Sequence, residues 1–120
     1  MTNDEARELY KESGITYKSI GSKEISKLIY CIKTELHCCD NELELKLCPL
    51  RKNDINYNED GSIKNCYLMV DGDYFKRREA ISFNTADIHG NEFIGFAGWG
   101  GTKQREPLLK AFAKWINEMM

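Results

Sequence analysis

Ile25, Leu28, Ile29, Ile32, Leu36 and Cys39 recur at intervals of three and four residues. This is the period of a helix with one buried face, so the pattern predicts a helix near 23–39, capped by Ser22. Lys23, Lys27, Lys33 and Glu35 fall largely on its other faces. The same period returns at the C-terminus, where Leu108, Leu109, Phe112, Trp115, Ile116 and Met119 line one side of a helix near 106–119. Pro107 suits the first turn of that helix, where a missing N–H is no loss. At the other end of the chain, Thr2 and Glu5 form a T-x-x-E capping box for a short helix near 3–13. Its inner stripe, Ala6, Leu9, Tyr10 and Ser13, is thin and predicts peripheral packing, and Gly14 is a C-terminal stop. ITYKSI (15–20) reads as an extended link or a short strand.

Between the helical segments the period changes to two. In ELELKLC (42–48), Leu43, Leu45 and Leu47 point one way, and Glu44 and Lys46 the other. That is a half-buried strand with one wet face. Pro49 closes it, and a polar loop follows to CYLMV. Further strands are predicted near 66–71, 78–84 and 92–98, with Ile81 and Phe83 facing the core. Asp71-Gly72 suits a tight turn between the second strand and the third. Helices, then consecutive antiparallel strands, then a helix make an α+β fold: a four-stranded antiparallel sheet with the helices packed mainly on one face. The other face would carry Glu44, Lys46, Ser82 and Asn84, open to water or a partner.

Composition agrees with this plan. The 120 residues suit a single domain, 1–120, with a core large enough to need neither metal nor disulfide. Apolar residues make up 42% and charged residues 30%, a globular mix. No run approaches the ~18 apolar residues of a membrane helix, and the acidic opening MTNDEARELYK does not read as a signal peptide. Five cysteines, an odd number, without a secretion signal imply reduced thiols and a cytoplasmic setting.

Candidate chemistry begins at GFAGWGGTK (95–103). Glycines ahead of a helix can cradle an anion through backbone N–H groups, with Thr102, Lys103 and Arg105 adding a hydroxyl and two cations. The spacing matches neither the P-loop nor the dinucleotide pattern, and the chain lacks a βαβ unit. Gly95 and Gly98 fall inside the strand, where glycine marks close packing. NYNEDGSIKNCY (56–67) imitates a calcium loop, but Asn56 replaces the usual first Asp and Tyr67 stands where a bidentate Glu belongs. It reads instead as a polar hairpin turning at Asp60-Gly61. His37, Cys38 and Cys39 lack the paired spacing of a zinc site. Nothing activates a cysteine beside His37 or His89. The sequence therefore predicts no catalytic residues, no metal and no cofactor.

The charged loops point to binding. In DYFKRREA (73–80), Lys76, Arg77 and Arg78 follow two aromatics and could join Lys103 and Arg105 in one cationic patch. Asp71 and Asp73, with Asp54, Glu59 and Asp60, make an acidic rim suited to a basic groove.

EAISFN, EFIGFAGW and PLLKAFAKWINEM, about 40 residues in all, resemble the strand–strand–helix ending of small proteins encoded by phages and prophages of Gram-positive bacteria. The anti-CRISPR inhibitors are among proteins of that kind. The resemblance carries no catalytic motif. It implies a non-enzymatic binding protein that occupies the surface of a host protein or nucleoprotein complex in the host-cell cytoplasm. Direct nucleic-acid binding is compatible with the sequence but not indicated by it. The expected partner-binding residues are Trp99, Lys103, Arg105, Lys76, Arg77, Arg78, Asp71 and Asp73. The alternative is a nucleotide or other small anion held by the Gly-rich turn at 98–105.

Overall fold

The computed structural model describes residues 1–35, 44–51, 55–71, 79–84, 92–98 and 102–120; within these, side-chain placement is not described for residues 44, 71, 79, 84, 93, 97, 98 and 102–105. The order is α1 (Asn3–Ser13), a 3-10 turn (Tyr17–Ser19), α2 (Ser22–Glu35), β1 (Glu44–Pro49), β2 (Cys66–Asp71), β3 (Glu79–Asn84), β4 (Phe93–Gly98) and α3 (Thr102–Met119). The strands form one antiparallel sheet in the order β1-β2-β3-β4. The α+β class expected from the alternating and helical periods is the fold.

Register divides the sheet into two faces. On one, Leu47 pairs with Leu68, Leu68 with Ile81, and Ile81 with Phe96, while Phe83 pairs with Ile94. Leu68, Ile81 and Phe83 are fully buried. Helix α3 meets this face through aromatic rings: Phe96 stands edge-on to Phe112 at 5.0 Å, and Phe83 edge-on to Trp115 at 6.4 Å. Edge-to-face contact places the positive rim of one ring against the negative face of the next. Trp115 is fully buried and its indole N–H donates to the Glu24 carbonyl of α2 at 2.8 Å, which satisfies its one polar atom. Glu24 beside Trp115 and Glu35 beside Lys110 (3.7 Å) mean that α2 and α3 run antiparallel.

Local chemistry explains the helix starts. Thr2 and Glu5 make both halves of the α1 capping box, at 3.1 and 3.2 Å, and Gly14 stops the helix in the left-handed conformation. Ser22 is not the cap of α2 but its first residue. Gly21 precedes the helix, and its N–H donates to the Glu24 carboxylate at 2.9 Å, half of a capping box. A Cβ on Gly21 would lie 2.9 Å from the Gly61 carbonyl oxygen, so the close approach of another backbone admits only glycine there. ITYKSI is a link and not a strand: a 3-10 turn at Tyr17–Ser19 lies between extended Thr16 and Ile20, and fully buried Ile20 accepts from Ile63 N at 2.6 Å. The start of α3 is also earlier than the proline suggested. Pro107 lies inside the helix, and the turn before it is helical from Thr102. Ala6 and Tyr10 of α1 are buried and Leu9 packs half-buried beside them, so the thin stripe reaches the core.

No helix among the described residues is long and apolar enough to cross a membrane.

Candidate functional site

The hairpin at 56–64 is a core plug. Tyr57 bridges Ile63, Asn58 N donates to Ser62 O at 2.8 Å, and Lys64 N donates to Asn56 O at 2.8 Å. Ile63, the one apolar residue between Gly61 and Cys66, is buried to 1% exposure. The Asp60 carboxylate accepts from both the N–H and the hydroxyl of Ser62, and these bonds hold its carboxyl below the usual range. The Asn58 amide donates to the Ser62 hydroxyl at 3.0 Å. Asn58, Asp60 and Ser62 of the calcium-like stretch are thus spent on the turn itself. Asn56 donates to the Leu47 carbonyl at 3.3 Å, which blunts part of the exposed edge of β1.

Two of the described thiols, Cys31 and Cys66, are poorly suited to nucleophilic work. Cys31, Cys48 and Cys66 are free. Burial pushes the Cys66 thiol up to about 12, with the neighbouring Cys48 adding to the effect. Burial, then the Glu118 carboxylate, raises Cys31, whose S–H points at Glu118 over 3.8 Å. A nucleophilic cysteine needs the opposite shift. His37, Cys38, Cys39 and His89 lie outside the described residues.

A third polar centre is structural. Glu92, ahead of β4, accepts from the Tyr10 hydroxyl at 3.1 Å and from Tyr17 N at 3.2 Å. It ties α1 and the 3-10 turn to the sheet, and burial and the Glu92 charge raise the Tyr10 phenol well above its ordinary range. Nothing in the sequence around Glu92 marks this role, since its partners lie 75 and 82 residues away.

Among the described residues, two surfaces carry partly or fully exposed side chains suited to contact. One is the second face of the sheet. Cys48 pairs with Tyr67, Tyr67 with Ser82, and Ser82 with Gly95; in the next row, Lys46 pairs with Met69 and Met69 with Ala80. Tyr67, Met69, Ala80 and Ser82 are half-buried and Lys46 is exposed. The small, half-buried Ala80 and Ser82 lie beside buried Gly95, with the longer Lys46, Met69 and Tyr67 to the other side. Ser82 and Lys46 were expected here from alternation; Tyr67 and Met69 were not, because CYLMV is apolar throughout. The other surface is the outer side of α2, where Tyr30 is 70% exposed.

Of the residues first expected to bind a partner, Trp99, Lys76, Arg77, Arg78 and Asp73 lie outside the described residues. Asp71 ends β2 opposite Glu44. Lys103 and Arg105 lie in the first turn of α3, not in a turn ahead of it. Their side chains, and that of Asp71, are outside the description. In comparisons with known proteins, no family model, no curated protein and no solved structure matches this chain. Fold and surface therefore define only a class, a small α+β domain with a four-stranded antiparallel sheet.

Proposed function

We propose that this chain is a non-enzymatic binding protein that occupies the surface of a host protein or nucleoprotein complex, as a phage-encoded inhibitor would. The observation that supports this reading is the second sheet face. With the helices taken as a layer on the Leu68–Ile81–Phe83 face, the shelf of half-buried Ala80 and Ser82 is left to a partner. The raised thiols weigh against covalent catalysis. The test is affinity capture from host lysate with the tagged chain and with Ser82→Arg, which builds a long cation into the middle of the shelf. A partner held by the unmodified chain and lost by a folded Ser82→Arg supports the reading. Identical captured sets, or nothing above a tag-only control, would sink it.

A second reading has one observation in its favour. Helix α3 begins at Thr102, with no acid in its first turn. Its unpaired N–H groups and Lys103 and Arg105 therefore follow the Gly-rich segment directly, an arrangement that suits a nucleotide or other anion. Thermal shift with a nucleotide panel decides this. A ligand at ~100 times its Kd stabilises by about 2.7 kcal/mol, and an unchanged melting temperature across the panel rejects it.

A further inference from the structure

We infer that the outer face of α2 is a binding surface for single-stranded nucleic acid, with Tyr30 as its stacking platform. The face follows from helical geometry. At about 100° per residue, Lys23, Lys27 and Lys33 fall on one arc of roughly 120°, and Tyr30 sits near its middle. All of them are exposed, as are Ser22, Ser26 and Thr34 beside them. The two acids of α2 lie elsewhere. Glu24 is turned to the Gly21 N–H, and Glu35 to Lys110. Among the described residues, none of the three lysines has an ion-pair partner. Ile25, Leu28, Cys31 and Ile32 are buried on the opposite side, so this orientation of α2 is held by the core.

Two features favour a nucleic acid over an acidic protein. An aromatic hot spot in a protein interface sits within a collar that excludes water. Among the described residues Tyr30 has no such collar, because its exposed helical neighbours there are all cationic or hydroxylic. A solitary aromatic ring flanked by ammonium groups instead suits a base stacked on the ring with phosphates on either side. Lys23 to Lys33 also span about 15 Å along the axis at 1.5 Å per residue. That matches roughly four nucleotides at a stacked rise of ~3.4 Å. This surface does not depend on the sheet-face reading, because the probe is defined and the variants leave the sheet untouched.

Fluorescence polarisation of a labelled 12-nucleotide oligothymidine with the full chain tests this. Binding at 50 mM salt should weaken with a log–log slope near −2, as expected for about three phosphates on a single strand. Tyr30→Ala should weaken it about 5- to 150-fold, the worth of one stacked base. Tyr30→Phe should restore it. Lys27→Ala should reduce the slope by about 0.7. Lys11→Ala, on α1, should change nothing. All three positions are exposed, and circular dichroism melts verify folding. Absence of binding at 50 mM salt overturns the inference. So does binding indifferent to Tyr30→Ala, or displacement by a 12-residue polyglutamate as readily as by unlabelled oligothymidine, which would assign the face to an acidic protein.

Discussion

Cys66 makes the stability of this protein sensitive to alkali in a way that can be calculated. Its side chain is fully buried, and its thiol is pushed from the ordinary value near 9 to about 12. Above pH 9 the unfolded chain releases the Cys66 proton while the folded chain keeps it. The unfolded state is then favoured, so the Cys66 contribution is complete below pH 9 and is lost as pH rises towards 12. Each pH unit in that window is worth about 1.4 kcal/mol. At pH 11 the loss is about 3 kcal/mol. Tyr10 and Tyr57 are raised as well and act in the same direction, so the alkaline limb alone does not isolate Cys66. Comparison with Cys66→Ala does. The variant loses a buried sulfur, a small deletion worth about 1 kcal/mol near neutrality, but has no thiol to ionise. The two curves should therefore cross: the unmodified protein about 1 kcal/mol the more stable at pH 8, and about 2 kcal/mol the less stable at pH 11. Urea midpoints across pH 8–11 under reducing conditions measure this. A gap that stays constant with pH would refute the reasoning, because it would mean that the folded thiol ionises like an unfolded one.

Trp115→Ala should destabilise by about 3–5 kcal/mol, because it empties the centre of the ring cluster and deletes the donor to Glu24. Trp115→Phe should cost about half as much, and denaturant titration giving under ~1 kcal/mol for the alanine variant would contradict this packing. Gly21→Ala should cost about 1–3 kcal/mol by overpacking, since the new methyl group meets the Gly61 carbonyl; a neutral result in the same titration would mean that the two backbones separate freely. Glu92→Ala removes the acceptor of both Tyr10 and Tyr17, with an expected cost of about 1–3 kcal/mol. Its effect should appear as faster amide exchange across residues 3–20, and unchanged protection there would show that α1 is held by apolar contacts alone.

What the sequence determined by itself is periodicity and its direct consequences. The stripe of α2, the stripe of α3 and the alternation in β1 each bury one side of one element, and each side is written in consecutive residues. The α1 capping box and the Gly14 stop are equally local, so they were legible too. The inward direction of Ile81 and Phe83 followed from the same alternation. For the site, Lys46 and Ser82 on the second sheet face were readable from period two, and the lysines of α2 from period 3.6.

Other features depend on residues far apart in the chain. Gly21 is required by Gly61, Trp115 is satisfied by Glu24, and Glu92 gathers Tyr10 and Tyr17. Ile63 looks like a stray apolar residue in a polar loop until Ile20 is seen to pair with it. The early start of α3 ran against the usual reading of Pro107, which is a local preference that a buried stripe of six apolar residues can override. Tyr30 interrupts the polar side of α2 in the sequence, and only the packed helix shows that it faces solvent. Local pattern thus determined which residues seek the core. Tertiary packing decided which polar groups were consumed in holding it together, and therefore which remain on the surface to meet another molecule.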